Sequence, residues 1–122
     1  MTSFDAMNLD LGDIYSLVVE QLAVAITVTD LDGRIVYFNP YSAEILDRKP
    51  EYIGRDIRQC HNEPDSIRKI DHILEEFKRG GSAEFHYEAS RGDRDFMVNV
   101  HPLKKNGHVI GCIHSVIVKK SN

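Results

Sequence analysis

Residues 25–57, AITVTDLDGRIVYFNPYSAEILDRKPEYIGRDI, carry the pattern that decides the fold. β-Branched residues recur in the first half of this stretch, which predicts one strand over residues 25–30 and another over residues 34–39. Asp32-Gly33 stands between them, and because Gly33 can adopt positive φ, the two strands are predicted to form a β-hairpin. Asn39-Pro40 predicts a helix start, since Asn caps a helix N-terminus and Pro fits its first turn.

The second half of the chain predicts one longer helix followed by three strands. Apolar residues spaced three and four apart predict an amphipathic helix between Pro64 and Gly80; they are Ile67, Ile70, Ile73, Leu74 and Phe77. Alternation then predicts strands over residues 83–89, 96–101 and 109–118, the last of them covered on both faces. This order favours an α+β fold, with one five-stranded antiparallel sheet in the order 2-1-5-4-3 and the helices on one face.

A further amphipathic helix is predicted before the first strand, at residues 10–22. Its apolar residues are Leu11, Ile14, Leu17, Val18 and Leu22. Because an isolated helix of about 12 residues is marginal in water, we expect it to pack on something, either its twin in a homodimer or the outer face of its own sheet. The domain proper is then predicted at residues 23–119, between flexible tails at residues 1–9 and 120–122.

The composition limits the classes of protein to which this chain can belong. The 122 residues carry a net charge of −4, with 42% hydrophobic and 28% charged residues, which indicates one globular domain. The acidic balance argues against a dedicated nucleic-acid-binding protein. No apolar run approaches the roughly 20 residues of a spanning helix, and the acidic N-terminus lacks a signal-peptide pattern. We therefore expect a cytoplasmic protein that binds neither nucleic acid nor membrane, with Cys60 and Cys112 as free thiols.

Motifs at fixed spacing extend through the whole chain. Asp30, Gly33, Ile35 and Asn39 form D-x-x-G-x-I-x-x-x-N, Ile53-Gly54-x-x-Ile57 follows, and residues 107–118 read GHVIGCIHSVIV. In this order they resemble the PAS domain, the Per-Arnt-Sim sensory domain, of bacterial signalling type, over residues 10–119. Residues 58–81, RQCHNEPDSIRKIDHILEEFKRGG, are similar to a bacterial subgroup with a C-H-x-P-like stretch before a long helix. The resemblance implies structural roles for Asp30, Gly33, Asn39 and Gly54.

The resemblance also implies an apolar pocket between the sheet and the helices. The candidate lining residues are Ile26, Val28, Phe38, Leu46, Ile57, Ile70, Leu74, Met97, Ile113 and Ser115. Because only one face of each strand can point inward, this set contains more residues than the pocket can use. We hypothesise a sensory or protein-interaction module in signal transduction, which binds a small ligand or partner and passes the signal on by conformational change or dimer rearrangement.

A haem-binding gas or redox sensor is the alternative hypothesis, because haem-containing relatives hold the iron through a histidine on or near the long helix. His61 precedes that helix and is the candidate ligand. His72 lies about half a turn away from Ile70 and Leu74, so it should face solvent. No spacing typical of a protein metal site, such as H-E-x-x-H, is present. Cys60 stands in DIRQCHNEP, unlike the N-C-R-F-L-Q-like segment of light-sensing relatives, so we expect no flavin adduct.

Catalysis is not predicted. The sequence contains no nucleophile elbow, P-loop or kinase signature. A small ligand-binding enzyme is a third hypothesis, which would require an acid–base pair inside the pocket. Many PAS domains continue into an effector domain through a D-I-T-like tripeptide, whereas residues 118–122 read VKKSN. We therefore expect the signal to pass through a partner protein, through self-association or through a region outside this chain.

Overall fold

The computed structural model describes residues 9–61 and 63–119. In chain order its elements are α1 (Leu11–Gln21), β1 (Ala25–Asp30), β2 (Ile35–Phe38), α2 (Pro40–Leu46), one-turn 3₁₀ helices at Pro50–Tyr52 and Ile57–Cys60, α3 (Pro64–Lys78), β3 (Phe85–Arg91), β4 (Arg94–Lys105) and β5 (His108–Val118). The predicted tails, residues 1–9 and 120–122, lie outside the described residues apart from Leu9. Within the described part of the chain, no helix is long and apolar enough to cross a membrane.

The five strands form one antiparallel sheet in the order β2-β1-β5-β4-β3, which confirms the predicted topology. β4 is longer than predicted, because it continues through Pro102, which lies opposite Cys112 of β5. The β4–β5 ladder shifts register between Leu103 and Lys104. This irregularity lies close to the proline, which has no N–H to donate to a neighbouring strand.

The inner face of β1, which packs towards the helices, is formed by its less apolar residues. Ala25, Thr27 and Thr29 are buried there. Since successive side chains of a strand point to opposite faces, Ile26 and Val28 lie on the outer face of the sheet. Their predicted place in the pocket is therefore wrong. The physical reason is that the side chains of a strand alternate between two faces of the sheet, and in β1 the more hydrophobic set lies on the outer face.

Met97, Ile113 and Ser115 need the same correction. Ser115 lies opposite Ile26 and Ile113 lies opposite Val28, and residues directly opposite in a ladder share a face. Met97 belongs to the outward phase of β4 and is exposed, whereas its neighbours on either side in sequence are buried. The outer face also leaves Ile110 and Ile117 of β5 45% and 39% exposed, so the prediction that both faces of this strand are covered is wrong. The pairing with neighbouring strands sets these orientations.

Two turns hold the β1–β2 hairpin and the segment that follows α2. The Asp30 carboxylate accepts hydrogen bonds from the backbone N–H groups of Asp32 and Arg34, both at 2.9 Å. Gly33 completes this turn with φ 88°. Gly54, with φ 90°, donates its N–H to the carbonyl oxygen of Ile35 at 2.7 Å. These bonds dock the 3₁₀ segment against β2.

Asn39 is fully buried at the junction of β2 and α2. Its Oδ1 accepts hydrogen bonds from the N–H of Ser42, which caps α2, and from the N–H of Ile26, at 3.1 and 2.9 Å. Its Nδ2 donates to the carbonyl oxygens of Val19 in α1 and of Val24, at 3.0 and 2.9 Å. One side chain therefore joins α1, β1 and α2.

The apolar face of α3 packs on the inner face of the sheet. Ile70, Ile73, Leu74 and Phe77 are buried, as the spacing predicts. His72 is exposed, which confirms its predicted direction, although its ring edge contacts Phe85 with 5.8 Å between ring centroids. This face supplies much of the hydrophobic core.

α1 lies outside that core. A capping box starts it, because the Asp10 side chain accepts from the N–H of Asp13 at 2.8 Å while the Asp13 carboxylate accepts from the N–H of Asp10. None of its residues is buried. The helix is attached through the bond from Asn39 to the carbonyl oxygen of Val19. Its apolar side chains remain largely on the surface.

We expect Leu74→Asp to unfold the domain, because it places an unpaired carboxylate in the core. Loss of the leucine packing and burial of the charge together cost on the order of 3–5 kcal/mol, comparable with the stability of a small domain. The control is His72→Ala on the exposed side of the same helix, expected to change the free energy of unfolding by less than about 1 kcal/mol. Thermal melts followed by circular dichroism check both variants; a larger loss for His72→Ala would reverse the facing of α3.

Candidate functional site

A cavity of about 280 Å³ lies between the inner face of the sheet and the segment that runs from α2 to the start of α3. Small-molecule sites in proteins span roughly 300–1,000 Å³, so this cavity has room for one small ligand. The apolar part of its wall is formed by Leu46, Ile57, Ala89, Phe96, Val98 and Val116. Exposed residues at its opening are Glu63, Ser90, Arg91 and Gly92. The cavity therefore opens between the N-terminus of α3 and the β3–β4 turn.

Arg48 brings a guanidinium group into the cavity wall. It follows Asp47, the C-cap residue of α2, whose φ of 54° is left-handed. Only 7% of Arg48 is exposed, and its Nε donates to the Oγ1 of Thr27 on β1 at 3.4 Å. Burial lowers the pKa of Arg48, although a guanidinium remains protonated in proteins. The cavity wall thus contains a buried positive charge.

His114 lines the same cavity as this guanidinium. It is the β5 residue opposite Thr27, the residue that Arg48 contacts. His114 is 5% exposed, and within the described residues its buried Nε2 has no hydrogen-bond partner. Burial, together with the positive charge of Arg48 and the neighbouring His61, lowers the pKa of His114 to about 3. The ring is therefore neutral at physiological pH.

His61 and Arg91 lie towards the opening. His61 is half-buried, and burial together with the charges of Arg48 and Arg91 lowers its pKa to about 4. Arg91 donates from Nη1 to the carbonyl oxygen of Leu46 at 2.7 Å and from Nη2 to that of Cys60 at 3.2 Å. This arginine therefore ties the end of β3 to both ends of the segment that covers the cavity.

The two thiols differ in their surroundings. Both Cys60 and Cys112 are free. Cys112 is buried on the inner face of β5, and burial raises the pKa of its thiol to about 11. It therefore behaves as a small core residue. Cys60 is half-buried at the end of a 3₁₀ helix, immediately before His61.

Three of the residues predicted for the pocket or for haem ligation line the cavity: Leu46, Ile57 and His61. Ile70 and Leu74 instead belong to the closely packed core, and Phe38 packs against that core from β2. The five residues on the outer face of the sheet, Ile26, Val28, Met97, Ile113 and Ser115, are separated from the cavity by the sheet itself. The pocket that the sequence predicts is thus displaced towards β3 and the start of α3.

Apart from His61, the polar residues of the wall were not predicted from the sequence. Arg48 stands in Asp47-Arg48-Lys49, which resembles an ordinary solvated connection. Tyr87 and His114 lie on strands for which the sequence did not show which side chains point inward. One signal for His114 was present, because Cys112 and Val116 occupy the same phase and both are small apolar residues typical of a core.

We expect His114→Gln to make stability less sensitive to acid. In the unfolded chain His114 binds a proton below its ordinary pKa of 6.5, whereas in the folded protein it does so only below about pH 3. Between these two pH values a falling pH stabilises the unfolded chain, so the free energy of unfolding decreases. One such histidine contributes up to about 1.4 kcal/mol per pH unit. Urea titrations between pH 7 and 4 check this slope, with the exposed His108→Gln as control. Equal slopes in wild type and His114→Gln would contradict the buried neutral ring.

The sequence has relatives among known protein families. It matches the family model described as PAS domain over residues 16–118. No curated protein sequence is similar enough to this chain to count as a match.

Several solved structures share the fold. The C-terminal domain of a Streptococcus mutans protein is 21% identical, with a TM-score of 0.70 over 90% of this chain and 85% of that one. The PAS domain of BvgS from Bordetella pertussis is 15% identical, with a TM-score of 0.69 over 96% and 88% of the two chains. The PAS domain of the histidine kinase ThkA is 20% identical, with a TM-score of 0.61 over 77% and 97%.

These likenesses agree with the topology described above. At such identities they show the fold alone. The family model, in contrast, extends from α1 to the last residue of β5 and so includes the sheet, α2, α3 and the cavity between them. The chain belongs to the PAS domain family.

Proposed function

We propose that this PAS domain is a sensory module in signal transduction that binds a small molecule in its cavity. The observation that carries the proposal is the set of buried polar groups at the cavity wall, above all Arg48 and the unpartnered Nε2 of His114. Buried polar groups in proteins normally have hydrogen-bond partners, and a bound ligand would supply them here. ThkA, whose PAS domain has the same fold, is a histidine kinase, which agrees with a signalling role.

The walls of the cavity offer a route for the signal. A ligand would touch β3, β5 and the segment between α2 and α3 at the same time. Arg91 connects these parts through the carbonyl oxygens of Leu46 and Cys60. A ligand that displaces Arg91 would release the covering segment from β3, and a partner protein or effector domain would read that change. We place this process in the cytoplasm, where thiols such as Cys60 stay reduced.

A homodimer through α1 is part of the proposal. Leu11, Tyr15 and Val18 recur at spacings of four and three, which places them in one row on the helix, and the C-cap residue Leu22 follows four positions after Val18. All four are exposed, with Val18 at 52%. An apolar row of this kind on a surface helix is typical of an interaction surface. A second copy of α1 would cover it, and the bond between Asn39 and Val19 would couple that interface to the domain.

A haem group in the same cavity is the second candidate, and the position of His61 favours it. His61 lies on the cavity wall, and its pKa of about 4 keeps the ring neutral, the form in which a histidine nitrogen binds iron. The volume of about 280 Å³ favours a smaller ligand, because it lies below the usual range for drug-sized molecules and haem is larger than these. Haem would have to move the covering segment away from the sheet.

We expect native mass spectrometry of the protein, purified from its own host, to detect a bound small molecule that Ala89→Trp lacks. Ala89 lines the cavity, so an indole at this position fills the space. Ala83→Trp is the matched control, because Ala83 is exposed before β3 and should leave binding unchanged. Fluorescence of the introduced tryptophan, in a chain that has none, reports whether each indole is buried.

The outcomes separate the candidates. A wild-type protein of bare polypeptide mass, or equal ligand content in both tryptophan variants, would contradict binding in the cavity. A visible absorption band that disappears in His61→Ala would replace the small-molecule proposal with the haem candidate.

We expect Val18→Glu to turn a dimer into a monomer, because it places a charge in the middle of the apolar row. Multi-angle light scattering at high micromolar concentration measures the mass. Ser16→Glu, an exposed position on the same helix outside the row, should remain dimeric. A wild-type chain that is monomeric at this concentration would refute the dimer.

A further inference from the structure

Arg48 carries a buried charge without a counter-charge in the part of the chain that the structure describes. Among residues 9–61 and 63–119, no carboxylate lies within ion-pair distance of its guanidinium. Its hydrogen bond to the Thr27 hydroxyl is long, at 3.4 Å. The Cys60 thiol lies within hydrogen-bond reach of the guanidinium, but a thiol sulfur is a weak acceptor. Buried charges in proteins are normally paired, so this guanidinium is suited to an anion from outside the chain.

A second donor position lies next to it. Thr27 links the two groups, since it accepts from Arg48 and stands directly opposite His114 in the β1–β5 ladder. The Nε2 of His114 is buried and unpartnered within the described residues. When this nitrogen carries the proton of the neutral ring, it can donate to the same anion that the guanidinium binds.

The part of the wall on the inner face of the sheet around these two groups is apolar, whereas the remaining polar lining residues are His61, Glu63, Ser66, Tyr87, Ser90 and Arg91. Phe96 and Val98 of β4 and Val116 of β5 lie on the same inner face as His114, and Leu46 and Ile57 face the sheet from the covering segment. A ligand that fits this cavity therefore has one charged end and a short apolar body. In a fully ionic or strongly hydrated molecule, some polar atoms would lie against these apolar side chains and would have no hydrogen-bond partner.

We propose that the cavity binds a small molecule that carries one carboxylate group. The carboxylate contacts Arg48 and His114, and the apolar body lies against the wall formed by Phe96, Val98 and Val116. This inference rests on the proposed ligand-binding function and names its chemistry. A carboxylate matches the planar fork of a guanidinium and neutralises its single charge, whereas a doubly charged phosphate would leave a buried net negative charge.

Isothermal titration calorimetry at pH 7 tests the proposal with hexanoate and hexanamide, which differ in charge but hardly in shape. After exhaustive dialysis, we expect the wild type to bind hexanoate at least tenfold more tightly than hexanamide. Arg48→Met keeps an apolar stem and removes the charge, so it should weaken hexanoate about ten- to hundredfold and hexanamide by less, because the amide has no charge to lose a partner for. Arg68→Met, at an exposed position of α3, is the matched control and should bind hexanoate like the wild type. Ala89→Trp should block both ligands.

Thermal stability without ligand gives a second, independent measurement. If the Arg48 guanidinium has no counter-charge in the protein, Arg48→Met removes an unpaired buried charge, and its Tm should equal or exceed that of the wild type. Hexanoate should raise the Tm of the wild type but not that of Arg48→Met. A Tm of Arg48→Met several degrees below the wild type would show that the guanidinium already has a protein partner, and would overturn the inference.

The binding outcomes distinguish this inference from the function on which it rests. Equal affinity for hexanoate and hexanamide, or unchanged hexanoate affinity in Arg48→Met, overturns the carboxylate while leaving a ligand-binding cavity in place. Failure of the wild type to bind hexanoate at millimolar concentration also overturns it. The proposed function fails separately, when the protein purified from its own host carries no bound molecule.

Discussion

The side-chain amide of Asn39 is the interaction on which the arrangement of the domain depends. Its oxygen accepts from the backbone of β1 and from the first turn of α2, and its nitrogen donates to carbonyl oxygens in α1 and in the linker to β1. A buried amide needs all of these partners, since each unmade hydrogen bond would cost about 1–3 kcal/mol. The requirement fixes where α2 leaves the sheet and where α1 meets it. The position of the segment that covers the cavity follows from that geometry.

The cavity exists because two parts of the helical layer pack against the sheet with different closeness. α3 covers one part of the sheet with an apolar face, where Ile70 and Phe77 are buried in the hydrophobic core. The segment from α2 to the start of α3 is built from short turns and 3₁₀ helices, which carry fewer large apolar side chains. Over this part the inner face of the sheet presents Thr27 and His114 in place of aliphatic residues. Packing is thus incomplete where polar groups are buried, which is the combination that small-molecule sites require.

The outer face of the sheet and α1 form the complementary, less covered side of the molecule. Ile26, Val28 and Ile113 occupy it, so these three β-branched residues of β1 and β5 contribute little to the core, whereas Val116 belongs to it. α1 carries its own exposed row of apolar residues. Both features expose hydrophobic surface, whereas the cavity contains buried polar groups. Asn39 bonds to α1 on one side and to α2 on the other.

The sequence by itself determined the elements and their order, because periodicity, caps and turns are local properties. Asn39-Pro40, the Asp30–Gly33 turn and the apolar spacing from Ile67 to Phe77 predict their elements from neighbouring residues alone, and the spaced motifs indicate the family. Only the tertiary structure decided which phase of each strand points inward. In β1 the hydrophobic phase suggested Ile26, whereas pairing with β5 and the helices places Thr27 inside. The burial of Arg48 likewise depends on Thr27, 21 residues away in sequence. Such contacts between distant residues are properties of the folded chain, and no local pattern encodes them.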